Sequence, residues 1–508
     1  MSKVRELARG VAVSWAGTLA SIIAGFLMAP FLIHHLGVAG YGVWILIQST
    51  ISYMFLMELG LRATIVRFVA RDYANSNHDE VSRIVSAAVW VRFWSGVTVV
   101  FLTSTIAGLM PHLFRIPGQY MMAARVGLLI VGLTFAVTLV FSVFASTLMA
   151  IGAFGLMAGL ELLQIILTTA GLVPVVRAGY GIVGMAYCYF AGVMTVNLAT
   201  AFICFRMYPQ LRLTIRQVPE RGLLRALWSV GFYILGYNFA GHLIFSCDNI
   251  VVGAFASASA VAYYAVAGRM LEYVRQIAAA ILKYFTPLAS TFEARKQFDR
   301  LRQLQIRGTQ LVLLVTLPIV VAVFIRGGTF VGLWIGPDFR RSSTPALKVL
   351  AIAAALALPN LGSPSLLIAL GKQRWLALLT ITEGAMNLIL SVILARSMGI
   401  VGVALGTAIP AAIMHLFVWP GFACRLLGTP QSLFAREVWL RPLIAVSPFA
   451  VTCYFAERYW MPSSLVGFFL EMIVLSPVAA LGALTVFWTD APAVWRYAMR
   501  RRQTETVP

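Results

Sequence analysis

Charge is scarce in this 508-residue sequence: 11% of residues are Asp, Glu, Lys or Arg, with 18 acidic against 39 basic. Soluble domains carry roughly 25% charged residues, and here 60% of the chain is hydrophobic. That balance leaves no room for a soluble catalytic domain. The GxxxxGK[ST] loop is missing, which excludes a P-loop ATPase site, and so is HExxH, which excludes a zinc protease of that type. Five cysteines, Cys188, Cys204, Cys247, Cys424 and Cys453, form no CxxC pair. Neither a metal centre nor a disulfide framework is expected, no cofactor is implied, and the cysteines read as small apolar helix residues. The short alternating segments of a membrane β-barrel are also absent.

What the chain has in abundance is apolar runs of about 20 residues, each long enough to cross a hydrocarbon core. Backbone amides in hydrocarbon find no water, so these runs must be helices. The expected fold is all-α and polytopic, with about 14 spans. They are placed near 10–33, 40–61, 84–108, 121–146, 155–176, 182–205, 226–251, 262–288, 309–334, 345–370, 376–396, 399–424, 438–457 and 464–488. Gly10–Ile33 is too long for a cleaved signal and reads as the first span.

Basic residues sort by loop. One set carries Lys3, Arg5 and Arg9, then Arg62, Arg67, Arg71 and Arg83, and then clusters in 206–225, 295–307, 372–374, 425–441 and 496–502. The opposite set carries only Arg115, Arg177, Arg340, Arg341, Lys348, Arg396 and Arg458. The rich side is cytoplasmic by the positive-inside rule, which places both termini in the cytoplasm. The same sorting accounts for the net charge of +21. No basic face with interleaved aromatics exists, so nucleic acid is not an expected partner. Trp334, Trp375, Trp439, Trp460 and Trp488 fall at span ends and read as an interfacial belt.

The two halves repeat. Gly181-Ile-Val-Gly-Met-Ala recurs as Gly399-Ile-Val-Gly-Val-Ala, Ala150-Ile-Gly152 as Ala369-Leu-Gly371, and Glu161 as Glu383, at offsets of 218, 219 and 222 residues. That spacing covers six spans, an even number, so the halves have one orientation. The expectation is an N-terminal six-helix lobe over 1–225, a second over 226–425, and a helix pair with a basic tail over 426–508. Parallel repeats place a substrate site between lobes that rock.

Ionisable groups at mid-bilayer cost about 2.5–3.5 kcal/mol on insertion scales, yet the eighth span holds Arg269, Glu272, Tyr273, Gln276 and Lys283. Their helical spacing puts them on one face, whereas Leu271, Val274 and Ile277 point elsewhere and Arg275 falls outside the stripe. Glu272, one turn from Arg269, is expected to hold its guanidinium. The seventh span offers Asn238, His242 and Asn249 with Asp248 at the edge. The first offers Ser14, Thr18, Ser21 and Gly25, which serve equally as a cavity wall or a packing face. Asp248, Glu272 and His242 are candidates for ion coupling or charge balance. Arg62 and Arg92 read as snorkelling side chains. In the tenth span, Pro359-Asn-Leu-Gly362-Ser-Pro364 must break the helix, and a broken helix at depth faces protein or a cavity. Pro359, Gly362 and Pro364 are the hinge or gate candidates.

Two stretches carry a family resemblance. They are Leu36-Gly-Val-Ala-Gly-Tyr-Gly-Val-Trp44, continued by Glu58-Leu-Gly-Leu-Arg-Ala63 and Val66-Arg-Phe-Val-Ala70, and Asp248-Asn-Ile-Val-Val-Gly253 with Tyr264-Ala-Val-Ala-Gly-Arg269. Both resemble polysaccharide-export flippases of the Wzx type, in the superfamily that also holds lipid II flippases and multidrug and toxin extruders. The resemblance extends over essentially the whole chain. It implies translocation of an undecaprenyl-diphosphate-linked oligosaccharide to the periplasmic leaflet of the bacterial cytoplasmic membrane, for polysaccharide biosynthesis. Membrane lipid, a polysaccharide polymerase and glycosyltransferases are the implied partners. It also implies that Arg67 and Arg269 meet the diphosphate, and helix geometry adds Lys283. Competing readings are a cation-coupled multidrug exporter, a lipid II flippase and a non-transporting assembly scaffold.

Overall fold

A computed structural model describes residues 2–58, 61–214, 232–283 and 285–487. The described chain is helical throughout, without a strand. In order it runs α1 (Ser2–Met54), α2 (Leu61–Ala74), α3 (His78–Leu113), α4 (Gly118–Ala150), α5 (Phe154–Arg177) and α6 (Gly181–Met207). There follow α7 (Phe232–Phe245), α8 (Cys247–Phe255), α9 (Ala258–Leu282), α10 (Phe285–Ala294), α11 (Phe298–Trp334) and α12 (Pro337–Ala357). The last are α13 (Ser363–Ala369), α14 (Gln373–Ile413), α15 (Trp419–Leu427), α16 (Gln431–Tyr459) and α17 (Leu465–Phe487). Residues 1–265 with 373–406 form one compact unit, and 266–372 with 407–508 a second. The expected lobe limit at 225/226 lies outside the described residues.

Ten helices among the described residues are long and apolar enough to cross a membrane. The expected fourteen spans are therefore not matched one to one: the first and second run together, as do the eleventh and twelfth, the seventh is seen only as the shorter apolar stretch Phe239–Phe255, and the eighth, 262–288, is not among the ten, because Arg269, Glu272 and Arg275 fall within one short stretch of α9. Helix α1, of 53 residues, would be about 80 Å long at 1.5 Å per residue, far more than a bilayer. The backbone leaves the helix at Gly37, with φ 73° and ψ 166°. In α14 it does so at Gly399, with φ 57°, and there the chain folds back: Ser391 Oγ lies 3.3 Å from the Val403 carbonyl. Large apolar side chains such as Phe101, Phe202, Ile389, Leu470 and Ile473 point outward. In water such a surface would be costly; in a bilayer it is the lipid face.

The internal repeat has a backbone meaning. Gly181 and Gly399 both take φ 57°, and Gly152 and Gly371 take φ 90° and 68°. An L side chain at these positions would meet its own carbonyl, so glycine is required at the same turns in both halves. The second glycine of each motif allows close approach: a Cβ on Gly184 would meet Tyr180 and Val175, and one on Gly402 would meet the Leu394 carbonyl.

In the first unit, α2 lays Leu61, Ile65 and Val69 into a core with Val81, Ile84, Val85 and Ala88 of α3 and Val143 and Leu148 of α4. The stretch expected as a cytoplasmic link is thus largely helix. Its apolar residues recur at helical spacing while Arg62, Arg67 and Arg71 stay exposed. Arg92 does not snorkel. It is fully buried, donates from Nη1 to the Met57 carbonyl at 3.4 Å, and lies 4.0 Å from Glu58. The turn Phe55–Glu58 lies beside it, so the charge is balanced by a nearby carboxylate and one carbonyl, while Nε and Nη2 make no hydrogen bond. Hydroxyls inside the helices are satisfied locally: Thr50, Thr103, Thr147 and Thr200 each donate to the carbonyl four residues back.

In the second unit α11 packs on α12 and α16, and α16 on α17. Val312, Leu313, Leu317 and Val320 meet Ala351, Leu358, Val446, Phe449 and Cys453. The terminal pair is anchored through Arg326, which is fully buried on α11. Its Nη1 lies 2.5 Å from Glu471 of α17, its Nε donates to Glu457 of α16 at 3.3 Å, and its Nη2 donates to the Trp460 carbonyl at 3.3 Å. The guanidinium sits 5.3 Å from the Phe468 ring centre. Trp334 belongs to this apolar interior and not to an interfacial belt, because it packs against Phe330 with 5% exposure. Trp375 and Trp460 are exposed as expected, and Trp488 lies outside the described residues.

Removing one member of a buried ion pair costs about 3–5 kcal/mol, because the other charge is left in low dielectric. Arg326→Leu is therefore expected to lower the thermal midpoint in detergent sharply and to deplete folded protein from membranes. Adding Glu471→Leu to Arg326→Leu should recover most of the loss. Equal instability of the single and double variants would show that Glu471 is not what Arg326 neutralises.

Candidate functional site

The stripe on α9 is arranged by its helix. Val274 and Ala278 enter the core of the second unit, and Leu271 packs at its edge. That leaves Arg269, Glu272, Tyr273 and Gln276 half-buried and Lys283 exposed just past the helix end. The expected Arg269–Glu272 pair does not form. Glu272 instead accepts from Arg275 Nε at 2.8 Å and Nη2 at 2.5 Å, and from Gln276 Nε2 at 3.2 Å. A carboxylate one turn N-terminal to its cation is the better orientation on a helix, and Arg275 satisfies it where Arg269 does not. Arg275 is thus a member of the site that spacing alone assigned elsewhere. Arg269 makes no hydrogen bond or ion pair among the described residues.

Asp248, at the start of α8 in the first unit, is 5% exposed. Tyr264 donates to its Oδ2 at 2.5 Å, and the Ser391 hydroxyl lies 3.5 Å from Oδ1. Cys247 Sγ lies 3.2 Å from Asn387 Oδ1 and donates to the Leu243 carbonyl. Asn387, Ser391 and Glu383 of α14 are all buried. Asp248 therefore lies in the interior of the first unit among hydroxyl, amide and thiol groups, and Glu383 is a second buried carboxyl group of that unit. An ionised carboxylate there needs compensation by hydrogen bonds or a cation. A carboxyl group held in this way can take up and release a proton.

Glu383 was legible in the repeat, where it matches the exposed Glu161. Its burial was not, since the same residue type occupies an outer face in one half and an inner face in the other. Asn387 and Ser391 lie at i+4 and i+8 from Glu383, and that spacing is the signal from which their shared face could have been read.

His242 is half-buried. Its carbonyl accepts from Tyr53 at 3.3 Å, and its ring lies 5.9 Å from that of Phe55. Asn249, on the same helical tract, donates to Ser49 at 3.1 Å. Asn238 falls on α7, and its side chain, like those of Ser14 and Thr18, lies outside the described residues. Arg67 is on the exposed face of α2.

The helix is interrupted at the double-proline segment, where it tightens into a short turn. Helix α12 ends at Ala357, Leu358–Asn360 forms one tight turn, and α13 starts at Ser363. Pro359, Asn360 and Gly362 are buried while Pro364 is half-buried. Asn360 Nδ2 donates to the His415 carbonyl at 2.9 Å, and Gly362 abuts Phe285. The broken backbone is thus met by protein within the second unit.

Ser391 depends on Gly406, which faces it across the α14 hairpin. A Cβ there would run into the Ser391 backbone nitrogen and hydroxyl. Gly406→Val should cost about 1–3 kcal/mol by overpacking, read as less monodisperse protein on size exclusion and a lower thermal midpoint. A Gly406→Val protein as stable as wild type would mean that the hairpin is looser than this packing requires.

Comparison with known proteins identifies the family and the fold. Residues 36–344 match the family described as polysaccharide biosynthesis protein. An uncharacterized membrane protein of Bacillus subtilis, EpsK, is 20% identical over 84% of this chain and 85% of its own length. AglR of Haloferax volcanii, described as a probable flippase, is 22% identical over 79% of this chain and 80% of its own. Among solved structures, the lipid II flippase MurJ in an inward closed conformation superposes with a TM-score of 0.72 at 15% identity. That match covers 94% of this chain and all of that one, and it shows a shared fold.

Proposed function

This chain belongs to the polysaccharide biosynthesis protein family and is a multi-pass membrane transporter of the flippase kind, not an enzyme; from that premise we propose that it moves an undecaprenyl-diphosphate-linked oligosaccharide from the cytoplasmic to the periplasmic leaflet of a bacterial inner membrane. The observation that carries the proposal is Arg269: a half-buried guanidinium on α9, a helix of bilayer length too rich in charge to count among the ten apolar spans, with no partner among the described residues. A cation in such a place is costly unless an anion visits it. A diphosphate accepts the planar fork bidentately.

In this reading Arg67, exposed at the end expected to be cytoplasmic, meets the headgroup first, and Arg269 and then Lys283 carry the diphosphate. Tyr273, Gln276 and Asn238 offer hydrogen bonds to the sugars. Glu272, held by Arg275 and Gln276, keeps the local charge balanced while substrate enters and leaves. Asp248 carries the coupling proton or sodium ion, with His242 nearby on the same helical tract. Pro359, Gly362 and Pro364 form the hinge on which the second unit bends. A polymerase and glycosyltransferases act before and after it on the same lipid-linked intermediate. The cationic stripe disfavours export of cationic drugs, which would need an apolar or acidic surface.

Arg269→Ala is expected to abolish delivery of lipid-linked oligosaccharide to the outer leaflet of vesicles, with normal amounts of folded protein. Arg269→Lys should restore only part of the activity, because an ammonium keeps the charge and loses the fork. Full transport by a well-folded Arg269→Ala protein would take Arg269 out of the substrate path. Asp248→Asn retains an oxygen for the Tyr264 hydroxyl, so it should fold. Its transport should no longer respond to imposed proton or sodium gradients. An undiminished gradient response would place coupling elsewhere.

A further inference from the structure

The second unit carries another cationic site, away from the α9 stripe. A cavity of about 640 Å³ lies beside the turn between α11 and α12. It is lined by Ile325, Gly328, Asp338, Arg340, Arg341, Thr344, Lys348 and Glu457, among others. Arg340, Arg341, Thr344 and Lys348 follow one another at helical spacing, so α12 presents them along one side. Arg340 lies 3.7 Å from Glu457, whose carboxylate is already engaged by Arg326 and the Thr329 hydroxyl. Arg341 and Lys348 are exposed and make no ion pair or hydrogen bond among the described residues.

Charge sorting makes this concentration unusual. Only seven Lys or Arg residues fall in the set opposite the cytoplasmic loops, and three of them line this one cavity. Asp338 and Glu457 also line it, and only Arg340 of the three cations is paired with either. Ion pairing as a purely structural device would leave no unpaired guanidinium and ammonium around the same space.

The depth of the site identifies its ligand. Lys348 lies seven residues beyond Arg341, about 10 Å along the axis at 1.5 Å per residue. The cations therefore extend down the end of a membrane helix instead of crowning a water-filled loop. Ile352, one turn further on and 47% exposed, continues that side of α12 as apolar surface. Cations above and exposed aliphatic carbon below match a phosphate ester joined to acyl chains.

We propose that Arg340, Arg341 and Lys348 form a binding site for the phosphate of an anionic lipid headgroup in the leaflet opposite the cytoplasm. The assignment of leaflet rests on the charge-sorted topology. The site itself is independent of which cargo the protein moves. Arg341 supplies a fork to the phosphate oxygens, Lys348 a point charge, and Asp338 at the rim limits affinity so that the lipid exchanges.

The test uses full-length protein purified in a neutral maltoside detergent, titrated separately with dioctanoyl phosphatidylglycerol and with inorganic diphosphate, and read by thermophoresis. Wild type should bind phosphatidylglycerol saturably, and Arg341→Gln with Lys348→Gln should weaken it about tenfold or more, as expected for losing two charge-assisted contacts. Asp338→Asn should tighten binding. These residues are exposed, so the variants should elute and melt as wild type does, and they should transport oligosaccharide normally even though Arg269→Ala does not. Parallel weakening for both probes, or binding of the phospholipid alone, supports the site. Binding of diphosphate without phosphatidylglycerol overturns the lipid assignment. An unchanged affinity in the double variant overturns the site altogether.

Discussion

A polar group that leaves water for hydrocarbon must find its partner inside the protein, and nearly every feature of this chain follows from that demand. Backbone amides meet it by forming helices, threonine hydroxyls by donating to the preceding turn, and the broken segment at Pro359 by the Asn360 contact to the His415 carbonyl. Arg326 meets it with three oxygen partners and an aromatic face. Through that guanidinium two helices outside the internal repeat become part of the packed second unit. A less demanding group would have left α16 and α17 free to be held by apolar contact alone, which lipid supplies equally well.

The same demand separates the functional groups from the structural ones. Glu272, Glu457 and Glu471 each have a cation within salt-bridge reach. The Tyr264 and Ser391 hydroxyls lie against Asp248, and Arg269 and Arg341 are met by no acceptor among the described residues. Charges paired within the protein stabilise the fold, whereas the cations left without an acceptor, Arg269 and Arg341, are the ones proposed to meet an anion. This division ties the energetics of burial to the proposed handling of a diphosphate at one place and a phospholipid at another.

Glycine carries the duplicated architecture. The repeated motif places one glycine at a left-handed turn and another, three residues on, where the preceding helix presses close. Both halves use the same two positions for the same two purposes, and neither tolerates a β-carbon. The repeat that appears as a string of letters is thus a helix-reversal device used twice.

Composition and periodicity by themselves determined the class of this protein. Apolar runs of bilayer length have one folding solution, the sorting of Arg and Lys gives an expected topology, and a double proline within six residues dictates an interrupted helix. The polar stripe on α9 was readable because helical spacing is local. Pairing and burial were not readable, because they depend on neighbours distant in sequence. Only the tertiary structure decided that Glu272 takes Arg275 in place of Arg269, and that Arg92 is buried beside the turn at Met57 instead of reaching water. It also decided that Glu383 is interior although its repeat counterpart Glu161 is exposed, and that Arg326 gathers carboxylates from two helices more than a hundred residues away. A helix face is set by its own sequence, but what that face meets is set by how the helices pack.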